Sequence, residues 1–489
     1  MKFKRIRQIV AVCWLLALTL CFLDFTGTLT EWLGWTAKLQ FFPALLALNA
    51  AALAFIVLLT LLFGRVYCSI ICPLGVLQDL FAHVAAKRKK NKYFFSLEKK
   101  RMRTGVLILF IIASLFGLGG LIEPYSAYGR MVTSLFAPVY RGTANLLAYF
   151  AERADSYAFY SVDVQIKGIA VFIIAVLTLI IIGWLAWRNG RTYCNAFCPI
   201  GTILSYLARF SYFKPVIDTS KCISCRRCER NCKASCIEIK TKAQHIDYNR
   251  CVVCMNCIDI CPKNAISYAH PLSEQAKMQI KQPEQSRRNF ISLLSLLTVG
   301  SWLKAQEKTV DGGLAIIEDK KAPERKTPLK PPGARSLKSF TSHCTACQLC
   351  VSACKNNVLF PSSKLTTWMQ PEMRFEQGYC RPECTECSKV CPAGAIKPIS
   401  MPDKSSVQIG HAVTMYDNCL VNTDQIECGN CARHCPTGAI LMTDVNKNGR
   451  KLPIVNTERC IGCGACEYLC PARPFSAIYV EGHKQHRLI

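Results

Sequence analysis

Cys222-Ile223-Ser224-Cys225-Arg226-Arg227-Cys228-Glu229-Arg230-Asn231-Cys232 is followed, after an eighteen-residue spacer, by Cys251-Val252-Val253-Cys254-Met255-Asn256-Cys257-Ile258-Asp259-Ile260-Cys261-Pro262. Three thiols on one tight loop can reach three irons of a cubane, while the fourth points away to a neighbouring cluster. Two such runs in tandem are the signature of a two-cluster 4Fe-4S ferredoxin. The spacing assigns Cys222, Cys225, Cys228 and Cys261 to one cluster, and Cys251, Cys254, Cys257 and Cys232 to the other. Zinc sites pair two C-x2-C knuckles separated by a dozen or more residues, and these evenly spaced triplets do not fit that pattern. Lys233 stands where proline usually follows the fourth cysteine, and Cys236 is a spare thiol expected as a buried neighbour.

Four more motifs follow towards the carboxyl terminus. Cys344, Cys347, Cys350 and Cys354 keep the regular spacing, as do Cys460, Cys463, Cys466 and Cys470 with Pro471. The inner two are irregular: Cys380, Cys384, Cys387 and Cys391 with Pro392, then Cys419, Cys428, Cys431 and Cys435 with Pro436. Two regular motifs around two irregular ones suggest nested pairing, first with fourth and second with third. Sequential pairing uses the same ligands. Counting both domains, the expected cofactors are six 4Fe-4S clusters. The chain has 31 cysteines, and a disulfide framework gives no reason for one four-cysteine spacing to recur.

Ahead of these motifs the composition changes. Long apolar runs cover residues 9–25, 41–63, 104–122 and 168–187, each about the length that crosses a bilayer. The expected fold is thus an α-helical membrane bundle of four transmembrane helices with a two-fold repeat, followed by two α+β ferredoxin-like iron-sulfur domains. The net charge of +28 gathers beside the apolar runs, at Lys2 to Arg7 and Lys87 to Arg103, as the positive-inside rule describes. No basic face with groove-reading elements accompanies it, so nucleic acid is not an expected partner. Four crossings return the chain to the cytoplasm, where the first ferredoxin domain is expected. The segment from Glu123 to Lys167 is too polar to span. It reads as a solvated connection or as the wall of a quinone site.

The repeat is explicit at the ends of the second and fourth runs. Gly64-Arg65-Val66-Tyr67-Cys68 leads to Cys72-Pro73-Leu74-Gly75, and Gly190-Arg191-Thr192-Tyr193-Cys194 leads to Cys198-Pro199-Ile200-Gly201. An axis along the membrane normal would bring Cys68, Cys72, Cys194 and Cys198 together. Three readings stay open for them: a shared metal site at the membrane edge, a redox-active dithiol set, or packing. Cys13 and Cys21 read as packing residues. No facing histidines suit a membrane haem, and no nucleotide or flavin fingerprint is present.

Ser286-Arg287-Arg288-Asn289-Phe290, with about 14 apolar residues behind it, reads as an internal twin-arginine signal. A fifth apolar element would place the last domain outside. The domain reading is therefore 1–210 membrane domain, 211–275 two-cluster ferredoxin, 283–305 twin-arginine-like segment, 306–340 linker and 341–489 four-cluster ferredoxin.

On these residues the chain resembles the NapH and NapG quinol dehydrogenase subunits of the periplasmic nitrate reductase system, joined in one polypeptide. The NapH likeness covers about residues 1–270. It rests on the four runs, the two C-x3-C-P pairs and the paired ferredoxin motifs. The NapG likeness rests on the twin-arginine stretch, Pro331-Pro332-Gly333-Ala334 and the four-motif domain. The resemblance implies an inner-membrane quinol dehydrogenase delivering electrons to a periplasmic reductase or cytochrome. Other polyferredoxins with C-x3-C-P pairs look like metal reductases or maturation factors. An electron relay with no quinol site is therefore the alternative. Catalytic residues, the quinone and the terminal acceptor are not legible.

Overall fold

The computed structural model describes residues 2–489 apart from 25, 90–92, 155–163, 165–166, 241–242, 271–318 and 445–449. The expected twin-arginine segment lies outside the described residues.

Helix α1 (Lys2–Leu23) opens a bundle built from the two repeats. The first repeat contains α2 (Phe41–Leu46), α3 (Ala50–Phe63), α4 (Val66–Ile70) and α5 (Pro73–Lys89). After α6 (Lys100–Leu115) come α7 (Pro124–Met131) and α8 (Ala137–Arg153), joined through a π-helical turn over Val132–Phe136. The second repeat contains α9 (Ile169–Asn189), α10 (Thr192–Ala196) and α11 (Pro199–Ala208). Both α3 and α9 end on a glycine with positive φ, Gly64 at 72° and Gly190 at 69°, where a side chain would be strained. Both α5 and α11 begin with proline, whose missing N–H costs nothing in a first turn. The repeats exchange partners, with α5 packing on α9 and α11 on α3.

Among the described residues two helices are long and apolar enough to cross a membrane, Phe3–Leu23 and Ile169–Asn189. The other two expected spans are not continuous. The second is interrupted between Leu46 and Ala50, and the third is the 16-residue α6, which starts on Lys100-Arg101 and gives way to a 3-10 turn at Gly119–Leu121. The connection expected from Glu123 is not solvated in its first part. All eight residues of α7 are buried. Its polar groups find partners inside: Arg130 donates to the carbonyl oxygens of Gly120 (2.9 Å), Leu121 (3.0 Å) and Ala346 (3.3 Å). Internal pairing of this kind is what lets a polar segment leave water.

The two ferredoxin domains sit at opposite ends of the bundle. Lys4, at the start of α1, pairs with Asp259 at 2.8 Å, whereas Phe22 near its end accepts a hydrogen bond from Ser352. At about 1.5 Å per residue these ends are roughly 30 Å apart. Helix α9 repeats the arrangement in reverse: Gly190 closes on Lys233, while Gly168 faces Pro361 and Lys167 donates to the Val351 carbonyl at 2.9 Å. The second domain approaches closely because Gly117, Gly120 and Gly129 have no side chain. A Cβ at Gly120 would lie 1.9 Å from the Thr345 oxygen.

Each ferredoxin domain is a set of short antiparallel ribbons around cysteine loops. In the first, β1 (Lys214–Ile217) pairs with β4 (Ile266–Ala269), and β2 (Ile237–Lys240) with β3 (Ala243–Ile246). The second adds β5 (Leu359–Pro361) with β6 (Pro371–Met373), β7 (Val407–Thr414) with β10 (Ile478–Leu488), and β8 (Ile440–Thr443) with β9 (Leu452–Val455). The expected linker ends early. From Asp319 onwards the chain packs against the second domain: the Lys320 ammonium donates to the Glu467, Tyr468 and Cys470 carbonyls, Arg325 pairs with Glu467, and Lys330 is buried against Pro371.

Candidate functional site

The four regularly spaced cysteine loops share one backbone device. The residues on either side of the second cysteine are left-handed: Ser224 and Arg226, Val253 and Met255, Ala346 and Gln348, Gly462 and Gly464. Only the last pair are glycines, so the loops hold ordinary side chains in a sparsely populated conformation. A left-handed residue also follows the fourth cysteine, at Asn264, Asn357 and Gly438, and turns the next backbone N–H towards sulfur. Ala265, Val358 and Ala439 each donate to the cysteine four residues earlier, Cys261, Cys354 and Cys435, at 3.3 to 3.4 Å.

The thiols gather in fours. Cys222, Cys225, Cys228 and Cys261 line one cavity. Cys251, Cys254, Cys257 and Cys232 line a second, together with Cys236, whose sulfur lies 3.4 Å from that of Cys232. Cys344, Cys347, Cys350 and Cys391 surround a third. Cys354 stands with Cys380, Cys384 and Cys387. Cys419, Cys428, Cys431 and Cys470 form another group, and Cys435 joins Cys460, Cys463 and Cys466. The four carboxyl-terminal motifs therefore pair sequentially, not in the nested order. Irregular spacing in the inner motifs reshapes their own loops, but short connections still bring each motif to its chain neighbour. Among the described residues no three cysteine, histidine or carboxylate donors converge on one point. Four thiols spread around a cavity suit a cubane better than a single zinc ion.

Cys68, Cys72, Cys194 and Cys198 are all buried and lie close enough for their charges to interact. The repeat crosses over at this point. Arg65 donates to the Cys194 carbonyl at 3.1 Å, and Arg191 to the Cys68 carbonyl at 2.7 Å. Each arginine also lies 3.8 Å from the cysteine sulfur three residues ahead of it, Cys68 and Cys194. Gln78 Nε2 approaches Cys194 Sγ at 3.2 Å, and the Gly201 N–H, in the first turn of α11, donates to Cys198 Sγ at 3.2 Å. Two guanidinium groups and the N–H of a helix start thus lie around four buried sulfurs. Cys21 is buried and Cys13 exposed on α1.

Beside this group, Asp79 joins the bundle to the first ferredoxin. Its carboxylate meets Arg191 at 2.9 Å, Arg7 at 3.2 Å and Lys233 at 3.6 Å. Burial opposes ionisation there, yet Arg191 and Lys233 hold the carboxyl well below the usual carboxylate range. Lys233, the replacement for proline, thus has a structural role, and its carbonyl accepts from the Arg191 N–H at 2.8 Å. The repeated Gly-Arg-x-Tyr marks Arg65, Arg191, Tyr67 and Tyr193 in the sequence, but only packing brings them beside the four sulfurs. The repeat itself was the available signal. Asp79 and Glu123 carried none.

The groups form a continuous order. Cys228 neighbours Cys257, and Cys254 neighbours Asp79. Tyr67 and Tyr193 border the four-cysteine group on its other side and face Glu123, which with Tyr125 leads to Cys347. Cys350 then adjoins Cys387, Cys380 adjoins Cys463, and Cys466 adjoins Cys431.

Cysteine loops of this geometry on a partly apolar helical frame define an iron-sulfur electron-transfer protein of the ferredoxin type, with 4Fe-4S clusters as its cofactors. The 4Fe-4S binding domain family matches residues 45–92 and 169–216, which contain the two C-x3-C-P pairs, and a 4Fe-4S binding domain matches residues 245–267. A 4Fe-4S dicluster domain matches residues 426–473. The methylamine utilization ferredoxin-type protein MauM of Methylobacillus flagellatus is 32% identical over 170 residues, covering 32% of this chain and 70% of that protein. The chain belongs to this MauM family of ferredoxin-type proteins. It is also similar to the ferredoxin-type protein NapF of Escherichia coli K12, 29% identical over 32% of this chain and 87% of NapF. The putative electron transport protein YccM of the same organism is 25% identical over 52% of this chain and 64% of YccM.

If the four membrane-edge cysteines share one metal site, Cys68→Ser and Cys198→Ser are expected to lose the same low-temperature paramagnetic or optical feature. Two different losses, or none, would separate them into dithiols or packing residues.

Proposed function

We propose that this chain is a membrane-anchored relay of the NapH-NapG type that oxidises a membrane quinol and passes the electrons to an acceptor on the outer side. The observation that carries the reading is the order of the cysteine groups. They run from one end of the bundle, through the four buried cysteines, to the far end of the second ferredoxin.

In this reading the bundle is the inner-membrane domain of four spans, with the two short ones completed by their neighbours. The first ferredoxin is cytoplasmic and the second periplasmic. The residues proposed to hold six 4Fe-4S clusters are the six groups of four cysteines, which offer soft thiolate donors backed by N–H groups. When bound, the clusters supply one-electron steps at potentials tuned by those hydrogen bonds and by burial. Cys68, Cys72, Cys194 and Cys198 are proposed as a seventh metal site. The chain's own residues do the rest: Arg65, Arg191 and Gln78 point donors at the buried sulfurs, and the tyrosines with Glu123 occupy the gap to the next group.

Anaerobically purified protein is expected to have its clusters reduced by a soluble quinol analogue, read as bleaching of the iron-sulfur absorbance. If dithionite reduces the clusters and the quinol does not, the relay without a quinol site is the correct reading. The periplasmic side is checked by reporter fusions at the carboxyl terminus, where an active cytoplasm-only reporter would refute it.

A further inference from the structure

At the end of the bundle that carries the second ferredoxin, a cleft opens between three elements. One wall is the π-helical turn and the start of α8, with Thr133 and Arg141. The next is the entry to α9, with Lys167. The third is the loop of the first carboxyl-terminal motif, with Gln348, Val351 and Ser352. Arg141 is 9% exposed, and the Lys167 ammonium is fixed by its bond to the Val351 carbonyl. Two cationic side chains thus border a small space whose walls mix apolar residues such as Val171 and Pro361 with the polar Thr133, Ser134, Gln348 and Ser352.

Two further observations point to the kind of ligand. Lys167 lies within electrostatic reach of Cys350 and Cys354, members of two adjacent cysteine groups. A ligand beside Lys167 is therefore also beside the places where electrons are accepted. Helix α8 is two-faced: Arg141 and Ala148 are buried, while Val139, Leu146, Leu147 and Phe150 are between 55% and 65% exposed. Residues at these intervals share a side, as in a helix lying along a membrane surface with its apolar face in lipid. The cleft opens at the foot of that helix.

We infer that this cleft binds the headgroup of a membrane quinol, with Arg141 and Lys167 holding its oxygen atoms and its tail leaving along α8. The inference rests on the quinol reading above and gives it a location. A ring carrying oxygen atoms at its edges suits a cleft bordered by two cationic donors. A lipid phosphate would also meet the two cations, but it has no use for a position beside two cysteine groups.

The test uses the full chain in detergent or nanodiscs with an azido-quinone as photoaffinity probe and a soluble quinol as reductant. The label is expected in peptides spanning residues 133–141 or 167–171, competed by excess quinone. Lys167→Gln and Arg141→Gln are each expected to raise KM for the quinol at least tenfold. Iron content and reduction by dithionite should stay unchanged, which establishes that the variants fold. Thr133→Val, a milder change in the same wall, is expected to raise KM by a smaller factor. Labelling elsewhere with unchanged KM would overturn the location while leaving quinol oxidation intact. Loss of labelling that tracks phosphatidylglycerol content instead of quinone would identify a lipid site and overturn the inference. Failure of wild-type protein to be either labelled or reduced by quinol would overturn the quinol reading itself, and this inference with it.

Discussion

Asp79→Ala is expected to prevent accumulation of the assembled protein. Asp79 is the one acid among Arg7, Arg191 and Lys233 in this network, and these come from α1, the start of α10 and the first ferredoxin domain. Arg191 is fully buried, and its other donor bond goes to the Cys68 carbonyl. Removing the carboxylate leaves three cations facing one another away from water. Breaking a buried pair in this way costs about 3–5 kcal/mol, a large part of the roughly 5–15 kcal/mol that holds a typical domain together.

The sign of the pH dependence follows from the depressed carboxyl. Its contribution is complete above the unfolded-state pKa of aspartate and is lost only as pH falls through the lower folded value. Wild-type protein therefore keeps this joint at neutral pH. The check is the thermal melting of detergent-solubilised variant and wild type, with yield and iron content measured together. Equal melting temperatures would show that the network contributes little. Asp79→Asn, which retains size and hydrogen bonds but not charge, is expected to fall between the two.

Iron content is the second large effect. Protein purified without oxygen is expected to carry about 24 iron atoms for six 4Fe-4S clusters, and about 28 if the four membrane-edge cysteines hold another cubane. Removing iron with a chelator is expected to unfold both ferredoxin domains. Their ribbons are only 3 to 11 residues long, and the thiol cavities lie at their centres. The pairing can be read from the same measurement. Cys354→Ser should perturb the paramagnetic signal of the group with Cys380, Cys384 and Cys387, and leave that of Cys460, Cys463 and Cys466 intact. A Cys354 change that altered the latter would restore the nested scheme. Stoichiometric zinc in place of iron would refute the cluster assignment outright.

The sequence alone determined what is local. Three cysteines at intervals of three residues must share a loop, so the ferredoxin motifs and their donor chemistry were legible without coordinates. The crossed assignment of Cys232 and Cys261 was also legible, because only two motifs were available to pair. The Gly-Arg-x-Tyr-Cys repeat likewise announced that two segments were related, since each copy follows an apolar run and precedes a proline that starts a helix.

The tertiary structure decided everything that depends on which surfaces meet. Four motifs allow several pairings, and spacing within a loop carries no information about the loop opposite, so the nested scheme gave way to a sequential one. The polar stretch after Glu123 reads as solvated because hydropathy counts charges. It does not count the carbonyl groups that receive Arg130. The exchange of Arg65 and Arg191 between repeats, and the three cations around Asp79, join residues more than 60 positions apart in the chain. Such pairs become neighbours only when helices pack. The placement of the two ferredoxins at opposite ends of α1 and α9 is of the same kind, set by glycines whose missing side chains admit the second domain.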